Sequence, residues 1–185
     1  MGELPKVTPG YFQILVIREL RKAGFDVGEV RVHRRSELPE PQRGFVMELT
    51  APLAYADWHK RALVACRRQD DAVGREAVDN LESRLQDAHA EVGILFTTAD
   101  FQDEGVAAAQ QAGVALLRVI DGRKAYDGGG GQYGTPGHYP AWLPAHTVEV
   151  VDRDAGGQVR ARLLEAGGGA AVVLAAFEAE GSGQA

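Results

Sequence analysis

The chain carries a single cysteine, Cys66, in 185 residues, so no intrachain disulfide can form. That excludes the disulfide-stapled secreted class and fits a reducing cytosol. With one Cys and five scattered His, no paired ligand spacing exists for the usual zinc sites. Long apolar runs are missing as well: none approaches the roughly 20 residues that a membrane-spanning helix needs. Met1–Lys6 lacks the apolar core of a signal peptide. A cytoplasmic location with no membrane partner is therefore the expectation. Positive charge in excess is absent too. The 20 Lys and Arg stand against 26 Asp and Glu, a net charge of -6, so contact with nucleic acid would need a local basic patch. Aromatics are only 7% of the chain, but the 45% hydrophobic fraction suits one compact domain of this length, with 23 Gly partly gathered in one segment.

What is present reads as alternating helices and strands. Thr8-Pro9-Gly10 is a helix start, with Thr8 as cap and Pro9 at the first position. Phe12, Leu15, Val16 and Leu20 continue at helical spacing until Gly24 stops the helix. Asp26 to Val32 alternates like a strand, and Arg34 to Gln42, with Pro39 and Pro41, is expected to be a loop. Phe45–Ala51 and Leu63–Arg67 are expected strands, joined by a connection over Pro52–Lys60 whose Trp58-His59-Lys60 reads as a turn. A helix over Gly74–Asp87, a buried strand over Val92–Thr97, a helix over Gln102–Ala112 capped by Thr98 or Asp100, and a buried strand over Val114–Ile120 follow. This succession predicts βαβ units in a mixed sheet with helices on its faces. The run Gly128–Gly131 with Pro136, Gly137, Pro140 and Pro144 breaks the pattern and is expected to be a flexible connection. It lacks the strand-to-helix context and the Lys-Ser/Thr of a phosphate loop. Thr147–Val151 and Val159–Leu164 then predict a hairpin around Ala155-Gly156-Gly157. Ala170–Ala179 is open between strand and helix, with a third strand preferred.

One stretch is informative beyond its secondary structure. Val64-Ala65-Cys66-Arg67-Arg68 is followed by Val73-Gly74-Arg75-Glu76-Ala77-Val78, by Gly93-Ile94-Leu95-Phe96-Thr97-Thr98 with Phe101, and by Val114–Leu117 with Ile120-Asp121-Gly122. Upstream stand Gly10-Tyr11-Phe12-Gln13-Ile14-Leu15-Val16 and Gly24-Phe25. In this order and spacing, residues 10 to 122 resemble the Mrr-like restriction endonuclease family, a branch of the PD-(D/E)xK nucleases. The resemblance implies an α/β fold, a restriction-endonuclease-like mixed β-sheet flanked by helices; the expected additional C-terminal β segment lies outside the resemblance. The corresponding layout is a nuclease-like domain over 1–126, a Gly/Pro-rich connection over 127–145, and a β extension over 146–180 packed on the same domain.

The resemblance also locates the family's active site and shows what has changed in it. The family's strand reads V-Q-C-K-R or V-E-C-K-R, and here Ala65 and Arg67 take the places of the acidic or amide residue and the lysine. Its pattern G-x-D-L-x-A is matched best by Val46–Ala51, which puts Glu48 where the aspartate belongs. Gln13 stands where the opening helix often has glutamate. Nucleases of this kind bind Mg²⁺ with hard oxygen ligands, which activates water and stabilises charge on the phosphate. Ala65 offers no side-chain oxygen, and Glu48 remains as a weak metal-ligand candidate. Arg67 keeps a positive charge that can hold a phosphate bidentately, but its planar fork is no ammonium point charge.

The leading expectation is therefore a degenerate nuclease that binds DNA or a partner. Its degenerate catalytic positions are Gln13, Glu48, Ala65 and Arg67, and its nucleic-acid contacts are Arg34, Arg35, Arg67 and Arg68. The basic cluster Arg31, His33, Arg34 and Arg35, near Arg18, Arg21 and Lys22 in sequence, could equally be a solvated loop. One alternative is an active endonuclease that uses Mg²⁺ with Glu48 and a second carboxylate such as Glu19, Asp70 or Glu76. The other is a protein-interaction module, with a homodimer formed through the C-terminal segment. Without the motif, Glu48 reads as an exposed strand residue. Cys66 reads as a small core residue, and His138, Tyr139, Trp142 and His146 as aromatic anchors of their loop.

Overall fold

The computed structural model describes residues 7–40, 43–128 and 139–178. Helix α1 (Pro9–Lys22) begins as its sequence dictates: Thr8 Oγ1 accepts from Tyr11 N at 3.3 Å, and Pro9 takes a position where no N–H is needed. It ends at Gly24, whose φ of 112° suits a residue without a Cβ. Two strands, β1 (Asp26–Val27) and β2 (Arg31–Leu38), precede a long hairpin of β3 (Gly44–Tyr55) and β4 (Trp58–Arg68). Antiparallel β3 pairs with β4 along its length, and on its other side with β2 and then β1. Two βαβ units follow, in which α2 (Arg75–Arg84) leads to β5 (Val92–Thr97) and α3 (Asp103–Ala112) leads to β6 (Val114–Asp121). Strands β4, β5 and β6 are parallel. After α4 (Gly122–Gly128), strands β7 (His146–Arg153) and β8 (Val159–Leu163) extend the sheet antiparallel beyond β6, and α5 (Gly169–Ala176) follows.

The result is one eight-stranded mixed sheet, ordered β1-β3-β4-β5-β6-β7-β8 with β2 also on β3, flanked by helices. Its two faces bury separate clusters. Phe12, Leu15 and Leu20 of α1 meet Leu49, Cys66, Phe96 and Leu117 on one face, joined by Ala170 and Val173 of α5. On the other, Val78 and Leu81 of α2 and Val106 of α3 cover Leu63, Ala65, Leu95 and Leu116. Strand alternation divides neighbours in this way, and every residue of β5 is buried because helices cover both of its faces.

Several sequence expectations need correction. Residues 34 to 38, expected in a loop, belong to strand β2, held by a backbone ladder to β3 even though its side chains are largely exposed. The strand expected over Asp26–Val32 is split between β1 and β2. Pro52–Lys60 is no connection: β3 runs to Tyr55, a two-residue turn at Ala56 and Asp57 follows, and Trp58 opens β4. Pro52 lies between the stretch of β3 paired with β2 and the stretch paired with β1. Helix α3 is preceded by Gln102 with no side-chain cap, so neither Thr98 nor Asp100 plays that role. The preferred third C-terminal strand is helix α5. Its small residues allow close packing on α1: Gly167 N and Ala170 N donate to Lys22 O and Ala23 O, both at 2.8 Å. These bonds join an open helix end to the other's final carbonyls. The runs Met1–Lys6, Gly129–His138 and residues 179–185 lie outside the described residues, as does Pro41-Gln42.

Candidate nuclease site

The antiparallel register of β3 and β4 places Glu48 directly opposite Ala65, and β2 places Arg34 on the other side of Glu48. Arg67 lies two residues beyond Ala65 and so projects from the same face, the one covered by α2 and α3. Three of the four positions expected at the catalytic centre thus share one patch of sheet. Gln13 does not join them by its element's packing, since α1 lies on the opposite face. Nor do the two basic residues of β2 act together. Arg34 stands across from Glu48, whereas Arg35 lies across from Met47 and stacks 5.9 Å from the centre of the Phe45 ring. Arg68, opposite Phe45, is on that second face too.

Glu48 is only 8% exposed, against the expectation of an exposed strand residue, and its carboxylate is not open. Arg84, near the end of α2, donates to it from Nε at 3.3 and 3.4 Å and from Nη2 at 3.1 Å. The remaining arm, Nη1, reaches Asp87 Oδ2 at 3.1 Å. These hydrogen bonds and the adjacent charge of Glu48 hold the Arg84 guanidinium above its usual pKa range. Ala65, 6% exposed, contributes its methyl group to the apolar cluster under the helices. Sequence reasoning missed Arg84. The signal available was its place three residues after Leu81, at the margin of the apolar face of α2, but nothing in that spacing names Glu48 as its partner.

Arg67 is half-buried. Its Nε donates to Gln69 Oε1 at 3.0 Å, and Gln69 is itself fixed by bonds to Asp71 O and Thr98 Oγ1. Burial lowers the pKa of this guanidinium, and Glu76 in the first turn of α2 opposes that shift. The other proposed carboxylates are dispersed. Glu19 is buried on α1 and paired with Arg18 at 3.3 Å and Lys22 at 2.9 Å, while Asp70 and Glu76 are exposed. A divalent metal needs several hard oxygens converging on one point. Among the described residues no group of three or more His, Cys, Asp or Glu side chains converges in that way. With Ala65 beside it and Arg84 upon it, Glu48 does not form a donor set that fits Mg²⁺.

Outside this patch, Cys66 is fully buried and its thiol is pushed up in pKa by that burial, as expected of a core residue. His146 does anchor its segment, with Nδ1 3.2 Å from Tyr11 Oη, whereas Trp142 is 71% exposed and anchors nothing. Tyr139 Oη donates to Asp127 at 2.6 Å. His138 lies outside the described residues. Trp58, beyond the turn, stacks on Phe177 of the C-terminal segment.

The Mrr restriction endonuclease family model matches residues 4–124, which span α1 to the start of α4 and include every candidate site residue. No curated protein and no solved structure matches the chain. Because the family match covers well over half of the chain, this chain belongs to the Mrr restriction endonuclease family.

Proposed function

We propose that this family member is impaired in cleavage and binds DNA through the phosphate backbone. The observation that carries this reading is the register of Glu48 with Ala65, with Arg67 one step along the same face. The three residues assigned here to the family's catalytic positions supply one carboxylate, one methyl group and one guanidinium. Metal-assisted hydrolysis needs oxygen ligands for the cation and a group that helps position water. An arginine fixed by Gln69 retains instead the ability to bind a phosphate oxygen with its terminal nitrogens. Arg34, exposed on the same face, extends that contact along a strand edge. On this reading residues 1–126 are the nuclease-like unit, and the extension over 146–180 completes its sheet. Gel shifts with duplex DNA at two salt concentrations test it. Binding that weakens steeply with salt, and weakens further in Arg67→Ala, supports DNA as the partner. No binding at low salt would leave the protein-interaction alternative, and metal-dependent plasmid cleavage would restore the active one.

A further inference from the structure

We propose that Arg84 takes the place of the divalent cation at this site: its guanidinium is a built-in counter-charge between Glu48 and Asp87 that keeps metal out. The inference deepens the impaired-cleavage reading and rests on it. All three guanidinium nitrogens are engaged by carboxylates, Nε and Nη2 by Glu48 and Nη1 by Asp87. A cation that approached Glu48 would have to displace a charge-assisted bond to a carboxylate that is itself only 8% exposed. It would gain nothing from position 65, where the side chain is a methyl group. Arg84 is also anchored by its helix, since α2 packs Val78 and Leu81 into the cluster that Ala65 joins. The guanidinium is therefore delivered to Glu48 by the fold itself.

Glu48 and Asp87 together carry two negative charges and share one positive one. Removing the guanidinium leaves the carboxylates of Glu48, on a strand, and Asp87, on an exposed turn, without the cation they share. Such a site attracts a divalent cation that the wild-type chain refuses. The difference between the two states is a single side chain.

The test titrates Mn²⁺ against wild type, Glu48→Gln, Arg84→Ala, Arg84→Gln and the doubly substituted Arg84→Gln/Glu48→Gln. Electron paramagnetic resonance reads the free Mn²⁺, and circular dichroism checks each fold. The expected result is no Glu48-dependent Mn²⁺ uptake by wild type, about one ion taken up per chain by the Arg84 variants, and loss of that uptake in the double variant. Uptake by wild type that disappears in Glu48→Gln overturns the proposal, as does a folded Arg84 variant that binds no more Mn²⁺ than wild type. Arg84→Gln keeps most of the side-chain length and one donor for Glu48, so it carries the comparison if Arg84→Ala does not fold. The wild-type titration decides independently of both. Plasmid cleavage run alongside separates the two claims. Mn²⁺ binding by wild type without cleavage removes the role of Arg84 alone, whereas Mn²⁺-dependent cleavage removes the impaired-cleavage reading itself.

Discussion

Strand β4 sends Val64 and Cys66 to the face beneath α1, and Ala65 and Arg67 to the face beneath α2 and α3. The first face is an apolar layer running from Phe12 and Leu49 through Phe96 to Leu117, beside which the buried Glu19 of α1 pairs with Arg18 and Lys22. The second is apolar along Leu63, Leu95 and Leu116, but charged where Glu48, Arg67 and Arg118 rise from it. Here each charge has a partner: Arg84 for Glu48, Gln69 for Arg67, and Asp100 with Glu149 for Arg118. The contrast teaches that the layer which specifies the fold and the patch which would perform the chemistry are separable. Substitutions at positions 65 and 67 alter the second and leave the first intact, because alternate residues of one strand never share a face.

Breaking the apolar face should have the largest effect. Phe96→Ala removes a fully buried ring and is expected to cost about 3–5 kcal/mol, read as a drop in the urea midpoint. Breaking the charged face should cost less. Arg84→Ala leaves Glu48 buried without its partner, which in a fully buried pair costs about 3–5 kcal/mol. Here the Arg84 side chain remains 31% exposed, so about 1–2 kcal/mol is expected after allowance for solvent screening. If the two substitutions proved equally costly, the separation of the faces would fail.

At the margin of the apolar face, His146 links β7 to Tyr11 of α1. Burial lowers its pKa in the fold, Asp121 opposes that shift, and Arg18 reinforces it. The unfolded chain, with His near 6.5, then binds more protons than the folded one. Stability is accordingly full above about pH 6.5 and declines as the pH falls from there toward the lower folded value. Denaturant midpoints measured across that window should fall with acidity in wild type and fall less in His146→Gln. An identical decline in both would assign the effect to other groups.

The smallest effects concern DNA. Arg34→Ala and Arg67→Ala should each reduce the slope of log K against log salt by about 1, with stability nearly unchanged in Arg34→Ala. Arg35→Ala, on the other face and against the Phe45 ring, should change the slope less. A larger change at Arg35 than at Arg34 would move the contact surface to the α1 side.

How far the sequence was legible follows the same division. Helix α1 was readable from Thr8-Pro9 and Gly24, and β5 and β6 from short apolar runs, because local chemistry and burial agree there. Strand β2 was not, since Arg31–Leu38 has almost no buried side chains and owes its conformation to the ladder with β3. Helix α5 was hidden because Val172 and Val173 favour strand, while its packing on Ala23 is settled only in three dimensions. At the candidate site, Glu48, Ala65 and Arg67 were found through their motif positions, whereas Arg84 lies 36 residues from Glu48 and belongs to no motif. Long-range pairing of that kind leaves no periodic trace in a single chain.

The most direct measurement of the central claim is cleavage of supercoiled plasmid by wild-type protein in excess, with Mg²⁺ and separately with Mn²⁺. The expected result is plasmid that is bound and retarded but no more nicked or linearised than in buffer alone, at any incubation time. Nicked or linear product that depends on the cation and vanishes in Glu48→Ala would contradict it.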